Sequence, residues 1–110
     1  MYQIEDCGMI FMRDGWMVFD SEFNEPLSDV VFPMNIQKVR FGSWFNQEMH
    51  NLPNSITHLT FGYDFNQDVS QLPNSLTHLT FGHYFNQDVS NLPNSITHLI
   101  FGNNFNHDVN

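Results

Sequence analysis

The sequence predicts a mainly-β solenoid of about four to five 20–22-residue coils, opened at its amino terminus by a β-hairpin cap. Three observations predict it. Leu52–Gln71, LPNSITHLTFGYDFNQDVSQ, recurs almost unchanged as Leu72–Asn91 and again as Leu92–Asn110, a period of 20 residues. Near-identical copies at such a period mark a stacked array, because one unit cannot bury its own apolar edge. Each copy also holds an alternating segment, Leu59-Thr60-Phe61 in the first, bounded by Pro53 and Gly62, so a short strand fits and a long helix does not. Finally, Asp14-Gly15 separates two apolar stretches, the signature of a tight hairpin turn.

Taken in order, residues 2–5 read as a short strand ended by Asp6-Cys7-Gly8. Met9–Arg13 and Trp16–Phe19 flank the Asp14-Gly15 turn and form a type I′ hairpin that covers the open face of the first coil. Trp16–Asn24 aligns with Lys38–Asn46 at an offset of 22, with Val30 and Val31 as the extra residues. Phe32–Asn51 is a diverged repeat in which Lys38 and Arg40 take the places of His58 and Thr60. The expected organisation is one domain over 1–110: a hairpin cap over 1–15, a divergent first repeat over 16–31, and repeats over 32–51, 52–71, 72–91 and 92–110. Five strands align, Trp16–Phe19, Lys38–Phe41, His58–Phe61, His78–Phe81 and His98–Phe101.

Alternation turns Leu59 and Phe61 inward and His58 and Thr60 outward. Stacking sets equivalent residues about 4.8 Å apart. Phe41, Phe61, Phe81 and Phe101 then make one aromatic column, and Phe45, Phe65, Phe85 and Phe105 a second. Each buried Phe stabilises by roughly 1.5–3 kcal/mol, so these columns are the main source of stability. Asn46, Asn66, Asn86 and Asn106 follow the second column and are expected to bond backbone groups at the bend.

The pattern L-P-x-S-[IL]-T-H-L-x-F-G-x-x-F-N closely resembles the FNIP repeat, a relative of the leucine-rich repeat found chiefly in social amoebae and in the giant viruses that infect amoebae. Phe23-Asn24-Glu25-Pro26-Leu27 fits the F-N-x-P-[IL] signature of that family, whereas Asp68 and Asp88 stand in the proline's place in later copies. The resemblance implies a leucine-rich-repeat-like solenoid and a role in protein–protein interaction.

Charge narrows the functional classes. With 3 Lys+Arg against 12 Asp+Glu, the formal charge is −9, which opposes nucleic acid or an anionic membrane surface as partner. Cys7 stands alone, so no internal disulfide forms, and a reducing compartment is expected: cytoplasmic, either host cytoplasm or virion if the source is viral. The first residues carry neither a basic start nor an uninterrupted apolar run, so neither a secretory signal nor a membrane span is read.

Two columns invite a test for metals. His58, His78 and His98 recur at one outward position and could share an ion, but a ladder on a flat sheet diverges where tight zinc sites converge. Asp68, Asp88 and Asp108, continued by Glu48, form an acidic column, yet without glycine-rich loops a solvated edge is the simpler reading. No metal or other cofactor is expected. Nor is an enzyme: Ser55, Ser75, Ser95, Ser70 and Ser90 occupy turn positions, and Glu5 and Asp6 beside Cys7 disfavour a thiolate.

The remaining asymmetry is where the cations fall. Lys38 and Arg40 sit on the outward strand face with the histidines, while acids fall mostly on turns. The expected strip is therefore Trp16, Lys38, His58, His78 and His98 in one row and Val18, Arg40, Thr60, Thr80 and Ile100 in the next, with all but Val18 as the expected partner-binding residues. Its expected occupant is a protein. The alternative is a self-assembling structural protein. The sequence reaches Val109-Asn110 part-way through a coil, so that edge either pairs with another chain, as a homodimer through the carboxy-terminal coil, or has been cut short.

Overall fold

The structure, a computed structural model, describes residues 9–107. The strand expected over 2–5, Cys7 and Asp108 lie outside them. Strand β1, Ile10–Arg13, turns back into β2, Trp16–Phe19, as an antiparallel pair with Ile10 opposite Phe19 and Arg13 opposite Trp16. Asp14 and Gly15 take φ of 53° and 85°, the double left-handed geometry of a type I′ turn.

Four further strands follow, each of three residues: β3 Lys38–Arg40, β4 His58–Thr60, β5 His78–Thr80 and β6 His98–Ile100. They continue the sheet in chain order, and every pair from β2 onward is parallel. The register is that of the repeat, His58 beside His78 beside His98. These strands stop one residue before the expected Phe positions. The Phe41 N–H still donates to the Thr60 carbonyl at 2.9 Å, and the chain then bends at Gly42. Between β2 and β3 the two extra residues fall in a segment containing a 3₁₀ turn, Leu27–Asp29, which sequence periodicity did not foretell.

Gly62 and Gly82 are required by contact between coils rather than by dihedral freedom. A Cβ on Gly62 would overlap the Gly42 carbonyl, and one on Gly82 the Gly62 carbonyl. Hydroxyls hold the coils on the other side of the strand: Ser75 donates to the Ile56 carbonyl at 2.6 Å and Thr77 to the Thr57 carbonyl at 3.0 Å. At the bend the expected asparagine ladder is present. Asn46 Oδ1 accepts from the Asn66 N–H at 2.9 Å, and Asn66 Oδ1 from the Asn86 N–H at 2.9 Å. The Gln67 and Gln87 amides reinforce it, donating to the same oxygens at 3.1 and 3.0 Å.

The core runs unbroken from Ile10 to Val89 and contains both phenylalanine columns as far as Phe81 and Phe85, with Phe101 and Phe105 packed against it and only partly buried. Their closest ring contacts lie within one coil, Phe41 to Phe45 at 4.1 Å and Phe81 to Phe85 at 3.6 Å. From coil to coil the rings are parallel but farther apart, 5.7 Å for Phe61–Phe81 and 6.2 Å for Phe65–Phe85. The two columns therefore interleave into one aromatic spine. Ring spacing also grows with depth, because the outward histidines lie only 4.1 Å apart. Coils that crowd at the strand face and spread behind it curve the solenoid, with the sheet on the inside of the bend.

Candidate functional site

Parallel register and two-residue alternation together decide what the sheet presents. Met17, Val39, Leu59 and Leu79 point inward and are fully buried, so their neighbours on each strand point out. One outward row is Trp16, Lys38, His58, His78 and His98; the next carries Arg40, Thr60, Thr80 and Ile100. All nine sequence-predicted face residues are thus brought to one surface.

Trp16 is the hub at the cap end. The Arg40 guanidinium lies 5.0 Å from the indole centroid and Lys38 Nζ 5.8 Å from it, both within cation–π range. His58 meets the same ring edge-on at 6.1 Å and 83°. Beyond it the imidazoles of His58, His78 and His98 stack at 4.1 Å and within 9° of parallel. The divergence expected of a ladder on a flat sheet is not found, because the curvature draws the outward side chains together. Parallel rings still aim their nitrogen lone pairs side by side and not at one point, so the geometry suits stacking better than shared metal ligation.

The stack is tied to the strands. Thr77 Oγ1 lies 3.0 Å from the Thr57 carbonyl and 2.8 Å from His78 Nδ1. A hydroxyl has one proton; giving it to the carbonyl makes Oγ1 the acceptor for Nδ1–H and leaves the His78 Nε2 as an outward acceptor. Thr57 with His58 and Thr97 with His98 repeat the contact at 2.9 and 2.8 Å. Burial, then the neighbouring His78, Lys38 and His98, push the His58 imidazole below its ordinary proton affinity. Away from this face, Asp68 and Asp88 accept the N–H of Ser70 at 2.7 Å and of Ser90 at 2.9 Å, which holds both carboxyls below their usual range. Asp68 and Asp88 therefore each close their own turn.

Comparison with known proteins now bears on the array. The FNIP Repeat family matches in four overlapping segments, residues 23–64, 45–84, 68–104 and 85–110. The chain belongs to the FNIP repeat family. Nothing matches among the curated proteins. Among solved structures it is similar to CroV588 from a giant virus, described as a novel circular LRR protein structure, at 47% identity and a TM-score of 0.78. That match covers 84% of this chain and 15% of CroV588, so the chain spans a small part of that protein's length.

Within the FNIP unit, one exposed feature escaped the sequence reading. The two variable positions of G-x-x-F-N carry Trp44, Tyr63 and Tyr84, which are 55%, 50% and 46% exposed. Their signal was present: where the rest of the repeat is near-identical, these positions read Ser-Trp, Tyr-Asp, His-Tyr and Asn-Asn. Variation there, with aromatic residues outside the core pattern, marks side chains freed from the stacking that fixes the other positions. Among the described residues, no helix is long and apolar enough to cross a membrane.

Proposed function

We propose that the chain is a non-enzymatic interaction scaffold whose curved strand face binds an acidic, extended segment of a partner protein in a reducing compartment. One observation carries the reading: in a chain of formal charge −9, Lys38 and Arg40 converge on Trp16 at the end of a continuous histidine stack. Among the described residues, both cations make ring contacts and no ion pair, so each is open to a carboxylate. Trp and Arg, here side by side on a concave sheet, are among the side chains that most often anchor protein interfaces. Repeat solenoids of the leucine-rich-repeat-like kind commonly act as such scaffolds. The test is capture from the native cell by the wild type and by Lys38→Glu with Arg40→Glu. The wild type retains an acidic partner that the variant loses at unchanged circular dichroism; a partner retained equally by both overturns the proposal.

A second reading is self-assembly through the coil of β6, where the outward Ile100 is 59% exposed. A homodimer through this coil would disperse in Ile100→Lys with Asn104→Lys, changes that spare the buried spine. Light scattering that finds only monomer in the wild type at high concentration removes this reading.

A further inference from the structure

A second surface lies at the bends that follow the strands, where the asparagine ladder runs. Trp44, Asp64 and Tyr84 line a groove there together with Asn46, Asn66 and Asn86. The aromatic rings are exposed, on backbone that is bonded to the preceding coil. The Trp44 and Tyr84 N–H groups donate to the carbonyls of Ser21 and Tyr63 at 2.9 and 3.0 Å. Tyr63 borders the groove, its ring edge-on to Tyr84 at 5.1 Å and stacked on His83 at 4.7 Å. These ring contacts restrain Tyr63 and Tyr84 and so reduce the entropy lost in ordering them on binding.

The ladder supplies the polar half. Asn46 and Asn66 each accept the backbone N–H of the next coil at 2.9 Å, which only the side-chain oxygen can do, so the amide orientation is fixed. Each oxygen also takes a glutamine amide proton, from Gln67 and Gln87. The Nδ2 donors are left to the groove, one per coil. None of the described residues lining it is a lysine or arginine, and its charged member is the acceptor Asp64.

We propose that this groove binds a neutral, linear oligosaccharide lying along the solenoid axis. A sugar ring offers hydroxyls that accept from the asparagine Nδ2 groups and donate to the Asp64 carboxylate. Its C–H face, slightly positive, packs on the negative faces of Trp44 and Tyr84. The periodic row suits a periodic ligand, with successive rings meeting successive coils. A sulfated or phosphorylated polymer would need cations that the groove lacks. Proline-rich peptides also dock in aromatic-lined grooves, but each proline removes a backbone N–H that Asp64 could accept. This site is separate from the strand face and stands or falls without it.

The test is a backbone and side-chain amide NMR titration of the intact chain with chitohexaose, cellohexaose and maltohexaose, and with decaproline. At least one hexaose is expected to give saturable shifts at Trp44, Asp64 and Tyr84 and in the Asn46 and Asn66 side-chain amides. Trp44→Ala and Tyr84→Ala, both at exposed positions, should each weaken that binding roughly tenfold with the remaining spectrum retained. Lys38→Glu should leave it unchanged. No saturable shift with any hexaose, shifts confined to other surfaces, full affinity in both alanine variants, or decaproline bound in the groove in preference to every sugar would each overturn the proposal.

Discussion

The imidazole rings of His58 and His78 lie face to face, their centroids 4.1 Å apart and 9° from parallel. Strands in a flat sheet are about 4.8 Å apart, so the rings have closed up. The same coils place Phe65 and Phe85 6.2 Å apart. Repeats that are narrow in front and wide behind bend the array, and the narrow side carries the proposed binding face. The bulk of two phenylalanines per coil on the far side, against one imidazole on the near side, accounts for the taper.

The stack makes stability depend on pH. Folding lowers the proton affinity of His58, first through burial and then through His78, Lys38 and His98, while Trp16 and Thr57 cover its other sides. Between the depressed folded value and the ordinary imidazole value of about 6.5, the unfolded chain therefore binds more protons. The stability due to neutral His58 is complete above that ordinary value and is lost as pH falls toward the folded one. Melting temperatures between roughly pH 8 and pH 5 should fall more steeply for the wild type than for His58→Gln. Equal slopes would show that His58 is not coupled to folding.

His78→Glu with Thr80→Glu places two carboxylates in the centre of the strand face without touching Leu79 or Phe81. Folding should be unchanged by circular dichroism, and binding of an acidic partner should be lost. Binding that survives with the fold intact places the interface elsewhere.

Phe81→Ala opens a cavity in the middle of the spine, where the ring touches Phe61, Phe85 and Phe101. Loss of a buried aromatic costs about 3–5 kcal/mol, comparable to the whole stability of a small domain. Phe101→Ala should cost less, because Phe101 is only partly buried. Chemical denaturation of the two variants that ranked them in the opposite order would contradict the stacked-core account.

Gly82→Ala tests the close approach of the coils. Its Cβ would run into the Gly62 carbonyl, backbone that cannot yield without separating two coils. A loss of about 1–3 kcal/mol is expected, the usual range for overpacking. Wild-type stability in a urea titration would mean that the coils are farther apart than described.

Much of this was legible in the sequence because a repeat writes its register directly. Once Leu59 and Phe61 are taken as inward, the identity of positions 58, 78 and 98 places the histidines in one column, as the strand pairing does. The Asp14-Gly15 turn and the asparagine ladder were readable for the same reason, each being a local demand with few residues able to meet it. Curvature was not readable, since it arises from the summed widths of layers rather than from any one position. The 3₁₀ turn at Leu27–Asp29 was hidden because it adjoins the two extra residues, Val30 and Val31, in the one coil that departs from the 20-residue period. Trp44 and Tyr84 were passed over because they sit at the variable positions of the pattern, where nothing repeats.

Whether the concave strand face takes acidic protein segments can be read from amide NMR shifts of the wild-type chain titrated with a short polyglutamate peptide at low salt. Saturable shifts clustered at Trp16, Lys38, Arg40, His58 and His78 are expected, diminishing as salt is raised. Shifts clustered instead around Trp44 and Tyr84, or none that saturate, would contradict the proposed function.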